Sequence, residues 1–196
     1  VLSIDNHINS KPAAIEAVYE LTGKKVQNYN VDLCDADAVT KVFQEHTDIN
    51  AVIHFAALKA VGESVEKPML YFKNNMNSLM NVMDEIKKRN IQNFIFSSSC
   101  TVYGQATDLP VTEETEMKDA ESPYGRTKQL GEYILKDLAN IWGINVVSLR
   151  YFNPAGAHSS GKMGEAPSVV ALNLVPVITE TAAGKRDKCL VFGDDY

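Results

Sequence analysis

Phe94-Ile95-Phe96-Ser97-Ser98-Ser99 is the stretch on which the fold turns. Its apolar half shows no alternation, which suits a strand covered on both faces, as in a parallel sheet. Its second half turns polar at the carboxyl end. A loop follows, and then Ser122-Pro123-Tyr124-Gly125-Arg126-Thr127-Lys128 opens a run of helical periodicity that continues through Leu130, Ile134 and Leu138. The same alternation of apolar strand and amphipathic helix recurs along the chain. Strands are expected at Val1 to Asp5, Val26 to Asp32, Ala51 to Ala57 and Asn145 to Phe152. Between them, Asn9, Ser10 and Pro12 start a helix with apolar positions Ile15, Val18 and Leu21, and Gly23 ends it. Asp35 caps a second helix carrying Val39, Val42 and Phe43. A small-residue loop is expected around Gly62. Pro68 then suits the first turn of a long helix in which Phe72, Met76, Leu79, Met83 and Ile86 recur at helical spacing, so its methionines read as core. Beyond Phe152, a loop rich in Gly, Ser and Pro precedes an expected helix from Ala171 to Ala183 and a short strand from Cys189 to Phe192.

Strands alternating with helices imply right-handed crossovers and the α/β class, a doubly wound parallel sheet. Ligands of such sheets bind beyond the carboxyl ends of the strands. Polar residues gather at those ends: Asp5 and Asn6, Asp32, the segment from Ala56 to Lys59, Ser97 to Ser99, and Asn153 each follow an apolar run. Five such coincidences point to one binding edge.

Composition narrows the function classes. The formal net charge is -6 over 196 residues, and no run of Lys and Arg forms a phosphate-tracking stripe, which argues against nucleic acid. Lys24-Lys25 and Lys87-Lys88-Arg89 read as helix-end charges. Apolar runs are of strand length, so no membrane span is expected. Cys34, Cys100 and Cys189 lack metal spacing, which favours a reducing, cytoplasmic setting, and the four histidines complete no ligand set, so no metal is expected. His54 sits inside an apolar strand and reads as a packed, hydrogen-bonded residue.

Tyr124 and Lys128 are one helical turn apart and share a face. A nearby fixed cation favours phenolate, so Lys128 is expected to lower the Tyr124 pKa and fit it for proton exchange with a substrate hydroxyl. The same spacing also occurs by chance on ordinary helices, where the lysine is a solvated side chain. Ser99 ends the strand before that helix, within reach of the oxygen on which Tyr124 acts, or else it satisfies its own backbone. It has no nucleophile elbow and no His and acid partners, which speaks against a serine hydrolase. Asp5 ends a strand and suits the two hydroxyls of an adenosine ribose, with a turn or cap role as the other reading. A carboxylate there would repel a 2'-phosphate and favour NAD over NADP. The glycine turn that normally accompanies such an acid would stand upstream of Val1.

Residues 55–64 (FAALKAVGES), 96–104 (FSSSCTVYG), 122–128 (SPYGRTK) and 149–158 (LRYFNPAGAH) closely resemble the UDP-glucose 4-epimerase branch of the extended short-chain dehydrogenase/reductase family. The resemblance implies a bound NAD that is reduced and reoxidised within one turnover, interconverting UDP-galactose and UDP-glucose in galactose metabolism. It implies that Tyr124 removes the proton from the sugar 4-hydroxyl, that Ser99 binds the 4-oxygen, and that Lys128 binds the cofactor ribose and tunes Tyr124. By motif position, Asp5, Asn6, Asn9 and Ser10 match the adenosine end of the cofactor site, and Asp32 with Leu33 match its adenine contact. Phe55, Ala56, Ala57, Lys59, Asn74 and Phe152 match further cofactor positions. Asn153 and Asn173 match residues that hold the UDP-sugar, and Tyr151 lies beside the nicotinamide. A homodimer of the complete protein is also implied.

The chain departs from the family pattern at Ala57, commonly Gly, at Cys100, commonly Ala, and along Pro167 to Leu174. A nucleotide-sugar dehydratase of the same family would need an Asp-Glu pair where Ser99-Cys100-Thr101 stands. A noncatalytic NAD-binding product is the alternative from another class. The resemblance divides the chain into a partial NAD-binding domain, 1–152, and the start of a substrate-binding region, 153–196. It also places the missing first strand at the centre of the sheet, so the strands at Val1 and Val26 are expected to stand apart from the rest, and these residues alone are expected to be inactive.

Overall fold

The computed structural model describes residues 1–165, 170, 173–191 and 193. Two parallel sheets form. β1 (Leu2–Ile4) pairs with β2 (Gln27–Tyr29), Leu2 against Gln27. β3 (Ala51–His54), β4 (Asn93–Ser99) and β5 (Asn145–Tyr151) make the second, in that order, and among the described residues no ladder joins it to the first. The separation of the two early strands thus follows expectation. The helices are α1 (Ala13–Thr22), α2 (Ala36–Glu45), α3 (Val61–Glu66), α4 (Pro68–Arg89), α5 (Pro123–Trp142) and α6 (Leu174–Ala182), with a 3-10 turn over Cys100–Tyr103. The chain folds as two units, residues 1–6 with 27–152, and residues 7–26 with 153–196.

Local chemistry sets the helix ends. The Asp35 carboxylate accepts from the Ala38 amide at 3.0 Å, and the Ser122 hydroxyl accepts from the Gly125 amide at 3.1 Å. Gly23 ends α1 in the left-handed conformation, φ 68°. In the last turn of α4, Lys88 and Arg89 pair with Glu85 at 2.8 and 2.9 Å, and the Thr40 hydroxyl donates to the same buried carboxylate at 2.7 Å. The core of the first unit is built where α4 supplies Leu79, Val82, Met83 and Ile86 to Phe94 and Phe96 of β4, with Val39, Phe43 and Leu135 closing it. Burying these side chains contributes roughly 1.5–3 kcal/mol each.

Several expectations change. The loop around Gly62 is the short helix α3, held because the Tyr71 hydroxyl donates to Glu63 at 2.8 Å and accepts from the Ala60 amide at 3.1 Å. β2 stops at Tyr29, whose carbonyl accepts from both Asp5 and Val31 and so turns the chain out of the ladder. β5 ends at Tyr151, one residue before Phe152. Residues 189–191 carry no strand, for among the described residues no ladder reaches them; Phe192 lies outside the described residues. α6 starts at Leu174, and Ala171 is likewise outside them. Ile53, Ile95 and Val147 stand in register across the three-stranded sheet, and Ile53 and Val147 remain 56% and 52% exposed, so that face is not covered as the apolar runs suggested.

Gly131 is where α5 meets β4. A Cβ there would stand 2.7 Å from Cζ of Phe96, a ring that is 3% exposed and has no room to retreat. Gly131→Ala is expected to destabilise the protein by about 1–3 kcal/mol through overpacking, against the roughly 1 kcal/mol that alanine returns in helix propensity. Urea unfolding of Gly131→Ala, Phe96→Leu and the double variant checks this. Strong coupling between the two positions is expected, and additive effects would contradict the contact.

Candidate active site

Ser122 and Pro123 start α5 so that Tyr124 falls in its first turn and Lys128 in its second. Lys128 is 4% exposed, and its ammonium donates to the Ser97 carbonyl at 2.6 Å while lying 5.0 Å from the Phe96 ring centroid and 5.7 Å from that of Tyr124. The Ser99 hydroxyl accepts from the Thr101 amide at 3.3 Å and from the Thr101 hydroxyl at 3.0 Å. Ser99 also stands beside the Tyr124 phenol, where hydrogen bonding from it lowers the phenol pKa. Ser99, Tyr124 and Lys128 therefore stand together at the carboxyl end of β4.

The electrostatics differ from expectation. Burial raises the Tyr124 pKa above its ordinary value, the Ser99 hydrogen bond opposes this, and Cys100 adds to the rise. The lowering expected from Lys128 does not prevail, because its ammonium is spent on the Ser97 carbonyl and faces the phenol ring. Burial pushes Lys128 itself down to about 8. Beside it His54, stacked on Phe94 and Phe96, is pushed down to about 3, first by burial and then by the Lys128 charge, so it is a neutral packed residue.

A second cluster forms after β2. The Asp32 carboxylate accepts from the Cys34 amide at 2.8 Å, which folds Leu33 into a turn, and Asn81 of α4 donates to the Leu33 carbonyl at 2.8 Å. The Cys34 thiol, pushed up to about 11 by burial and by Asp32, donates to the Asn74 carbonyl at 3.4 Å. Asp32, Leu33 and Asn74 are thus brought together. Asp5 follows β1 with its amide on the Tyr29 carbonyl, and Asn6 follows it. The segment with Ala56, Ala57 and Lys59 leaves β3 and is pinned at Leu58. Phe55 packs against Tyr151, ring centroids 6.1 Å apart, and Phe152 against Tyr103 at 6.5 Å. Asn9, Ser10, Asn153 and Asn173 belong to the other unit, where Ser10 bonds the His7 ring at 2.9 Å and Asn173 donates to Glu165 at 3.2 Å. Among the described residues no three His, Cys, Asp or Glu side chains could hold a metal ion.

Sequence reasoning missed Asn75 and Thr127. The Asn75 amide is 5% exposed, accepts from the Leu58 amide at 2.9 Å, and donates to the Leu58 carbonyl and the Thr127 hydroxyl, each at 3.0 Å. Thr127 in turn donates to the Tyr124 carbonyl at 2.7 Å. One amide thereby ties the segment after β3 to the helix of Tyr124. The available signal was a polar residue at an inward position of α4, next to Asn74.

Comparison with known proteins places this geometry. The family model described as NAD dependent epimerase/dehydratase matches residues 1–195. The chain is 45% identical over 197 residues to a UDP-glucose 4-epimerase of Haemophilus influenzae, covering 100% of this chain and 58% of that protein. It is 47% identical over 201 residues to one from Schizosaccharomyces pombe, covering 100% of this chain and 56% of the relative. The crystal structure of UDP-glucose 4-epimerase from Bifidobacterium longum with NAD+ and UDP superposes with a TM-score of 0.95 at 46% identity, over 100% of this chain and 58% of that one. The chain thus spans a little over half the length of these relatives.

The buried ammonium makes stability depend on pH. Lys128 titrates near 8 in the folded chain and near 10.4 in an unfolded one. Between those values the unfolded chain holds a proton that the folded chain lacks, so stability gains with rising pH. Lys128→Met is expected to be more stable relative to wild type at pH 7 than at pH 10.5, the difference changing by on the order of 3 kcal/mol. Urea unfolding across that range measures it, and a difference independent of pH would refute the burial of the charge.

Proposed function

The chain belongs to the NAD dependent epimerase/dehydratase family, and from that premise we propose that it is part of a UDP-glucose 4-epimerase that interconverts UDP-galactose and UDP-glucose. The observation that carries the reading is the cluster of Ser99, Tyr124 and Lys128 at the carboxyl end of β4. The donor set fits a dinucleotide: a carboxylate after β1, the Asp32 turn bonded to α4, and the segment after β3 fixed by Asn75. Asp5, Asn6, Asn9 and Ser10 would hold the adenosine end, Asp32, Leu33 and Asn74 its adenine side, and Phe55, Ala56, Ala57, Lys59 and Phe152 the remainder. When bound, NAD supplies a reversible hydride acceptor for C4 of the sugar.

The residues of the chain do the rest. Tyr124 takes the proton of the 4-hydroxyl and returns it after the 4-keto sugar has turned over its other face. Ser99 hydrogen-bonds the 4-oxygen and the phenol, favouring phenolate where burial opposes it. Lys128 holds the strand end at Ser97 and presents its charge to the cofactor ribose. Asn153 and Asn173 would hold the UDP-sugar, so residues 1–152 serve as the cofactor-binding part and 153–196 as the start of the substrate region. A dehydratase is disfavoured by Ser99-Cys100-Thr101, which offers no Asp-Glu pair.

Apolar side chains left exposed on α4 (Met69, Leu70, Met80) and α5 (Tyr133, Ile141) support a homodimer of the complete protein. Among the described residues no helix is long and apolar enough to cross a membrane, and Cys34, Cys100 and Cys189 are free, which supports a cytoplasmic setting.

In the full-length protein, Tyr124→Phe is expected to lower turnover of UDP-galactose by about 10²–10⁴-fold with the fold retained; turnover at the wild-type rate would remove Tyr124 from the reaction. The 196 residues expressed alone are expected not to epimerise, since among the described residues their two sheets share no ladder. Absorbance of NADH released on denaturing the purified protein separates an enzyme that holds cofactor from a noncatalytic product that does not.

A further inference from the structure

Tyr124, Lys128 and Glu132 follow one another at four-residue steps and form a single stripe along α5. Each meets one of the three serines that end β4. Tyr124 meets the Ser99 hydroxyl, Lys128 the Ser97 carbonyl at 2.6 Å, and Glu132 the Ser98 hydroxyl at 2.5 Å. Nothing in the proposed reaction uses the third contact. Ser98 is 2% exposed, and its hydroxyl donates to that carboxylate. Directly across the sheet from Ser98 stands Arg150 of β5, and it binds the same carboxylate through Nε at 3.0 Å and a terminal nitrogen at 2.8 Å. Arg150 also donates to the Tyr103 hydroxyl at 3.1 Å, and Tyr103 closes the 3-10 turn that Ser99 caps.

We propose that Glu132 is a positioning residue of the catalytic site: gripping Ser98 and Arg150 together, it fixes the last residues of β4 and so sets where Ser99 meets Tyr124. Ser99 is bonded covalently to Ser98 and ladder-paired to Tyr151, the neighbour of Arg150. With one carboxylate holding both neighbours, and Tyr103 held by the arginine, Ser99 is fixed from its own strand, from the adjacent strand and from the turn that follows. A displacement of about 1 Å at such a site costs up to ~10²-fold in rate. A half-buried ion pair is not in itself a source of stability, which leaves placement of the strand end as the work these charges do. This inference rests on the proposed epimerase reading for its kinetic consequence and on geometry for the rest.

The test uses the full-length protein with ¹³Cζ-labelled tyrosine, the Tyr124 resonance being assigned by its loss in Tyr124→Phe. Ser98→Ala removes the grip with little change of volume. It is expected to raise the Tyr124 titration midpoint, because the Ser99 hydrogen bond that favours phenolate is weakened, and to lower kcat about tenfold with KM unchanged. Glu132→Gln keeps an oxygen for Ser98 and should shift the midpoint less, in the same direction, with the double variant matching Ser98→Ala alone. Ile91→Val, a core change elsewhere, should lower stability and leave the midpoint in place. A Ser98→Ala midpoint and kcat equal to wild type would overturn the proposal, as would additive shifts in the double variant or an equal shift in Ile91→Val. If the wild-type protein fails to turn over UDP-galactose while Ser98→Ala still moves the midpoint, the epimerase reading falls and the positioning role stands.

Discussion

The Lys128 ammonium is buried, and a buried charge must be met by oxygen. Here the oxygen is the Ser97 carbonyl, 2.6 Å away, and much of the first unit follows from that contact. It requires α5 to lie close along β4, which the absence of a side chain at Gly131 allows, since Phe96 fills the space a Cβ would need. It requires the strand to end in residues that tolerate a polar neighbour, which three serines do. It also requires the ring of His54 to stay neutral in the shared low-dielectric space, and burial with the Lys128 charge ensures that it does. The close approach of helix and strand answers to one hydrogen-bonded charge, and the burial that goes with it pushes both Lys128 and His54 down.

Polar side chains hold the site from behind in the same manner. Asn75 uses both ends of one amide to bind Leu58 and Thr127, and so joins the segment after β3 to the turn of α5 that carries Tyr124. Glu132 joins Ser98 to Arg150. Amides and carboxylates withdrawn from water, as Asn75 is fully and Glu132 partly, are costly unless their lone pairs and protons are used. Both of these are well supplied, which converts the cost into a fixed geometry.

The fold was legible because its signals are local. Asp35 and Ser122 announce helix starts with the side chains that cap them, and the apolar runs at β3, β4 and β5 announce covered strands. Tyr124, Lys128 and Ser99 were legible because helical spacing and a strand end suffice to bring them together. What escaped the sequence was long-range. α3 depends on Tyr71 reaching back to Glu63 and Ala60. Asn75 and Glu132 looked like ordinary polar residues on amphipathic helices until their partners, Leu58 and Ser98, were placed by the fold. The exposed Ile53 and Val147 are the converse case, since an apolar strand residue announces a cover without supplying one.

The direction of the Tyr124 shift has a chemical consequence that spacing alone had reversed. Burial acts oppositely on the two groups, raising an acid whose ionised form is an anion and lowering one whose ionised form is a cation. Lys128 falls to about 8 while Tyr124 rises above its ordinary value, so on raising the pH the lysine releases its proton before the tyrosine does. A cation that is gone by the time the phenol ionises cannot be what stabilises the phenolate in that titration. The hydrogen bond from Ser99 is the group left to do so, and its strength depends on where the strand end is held. In the proposed site, then, hydrogen bonding from Ser99 rather than the charge one turn along the helix is what favours the Tyr124 phenolate.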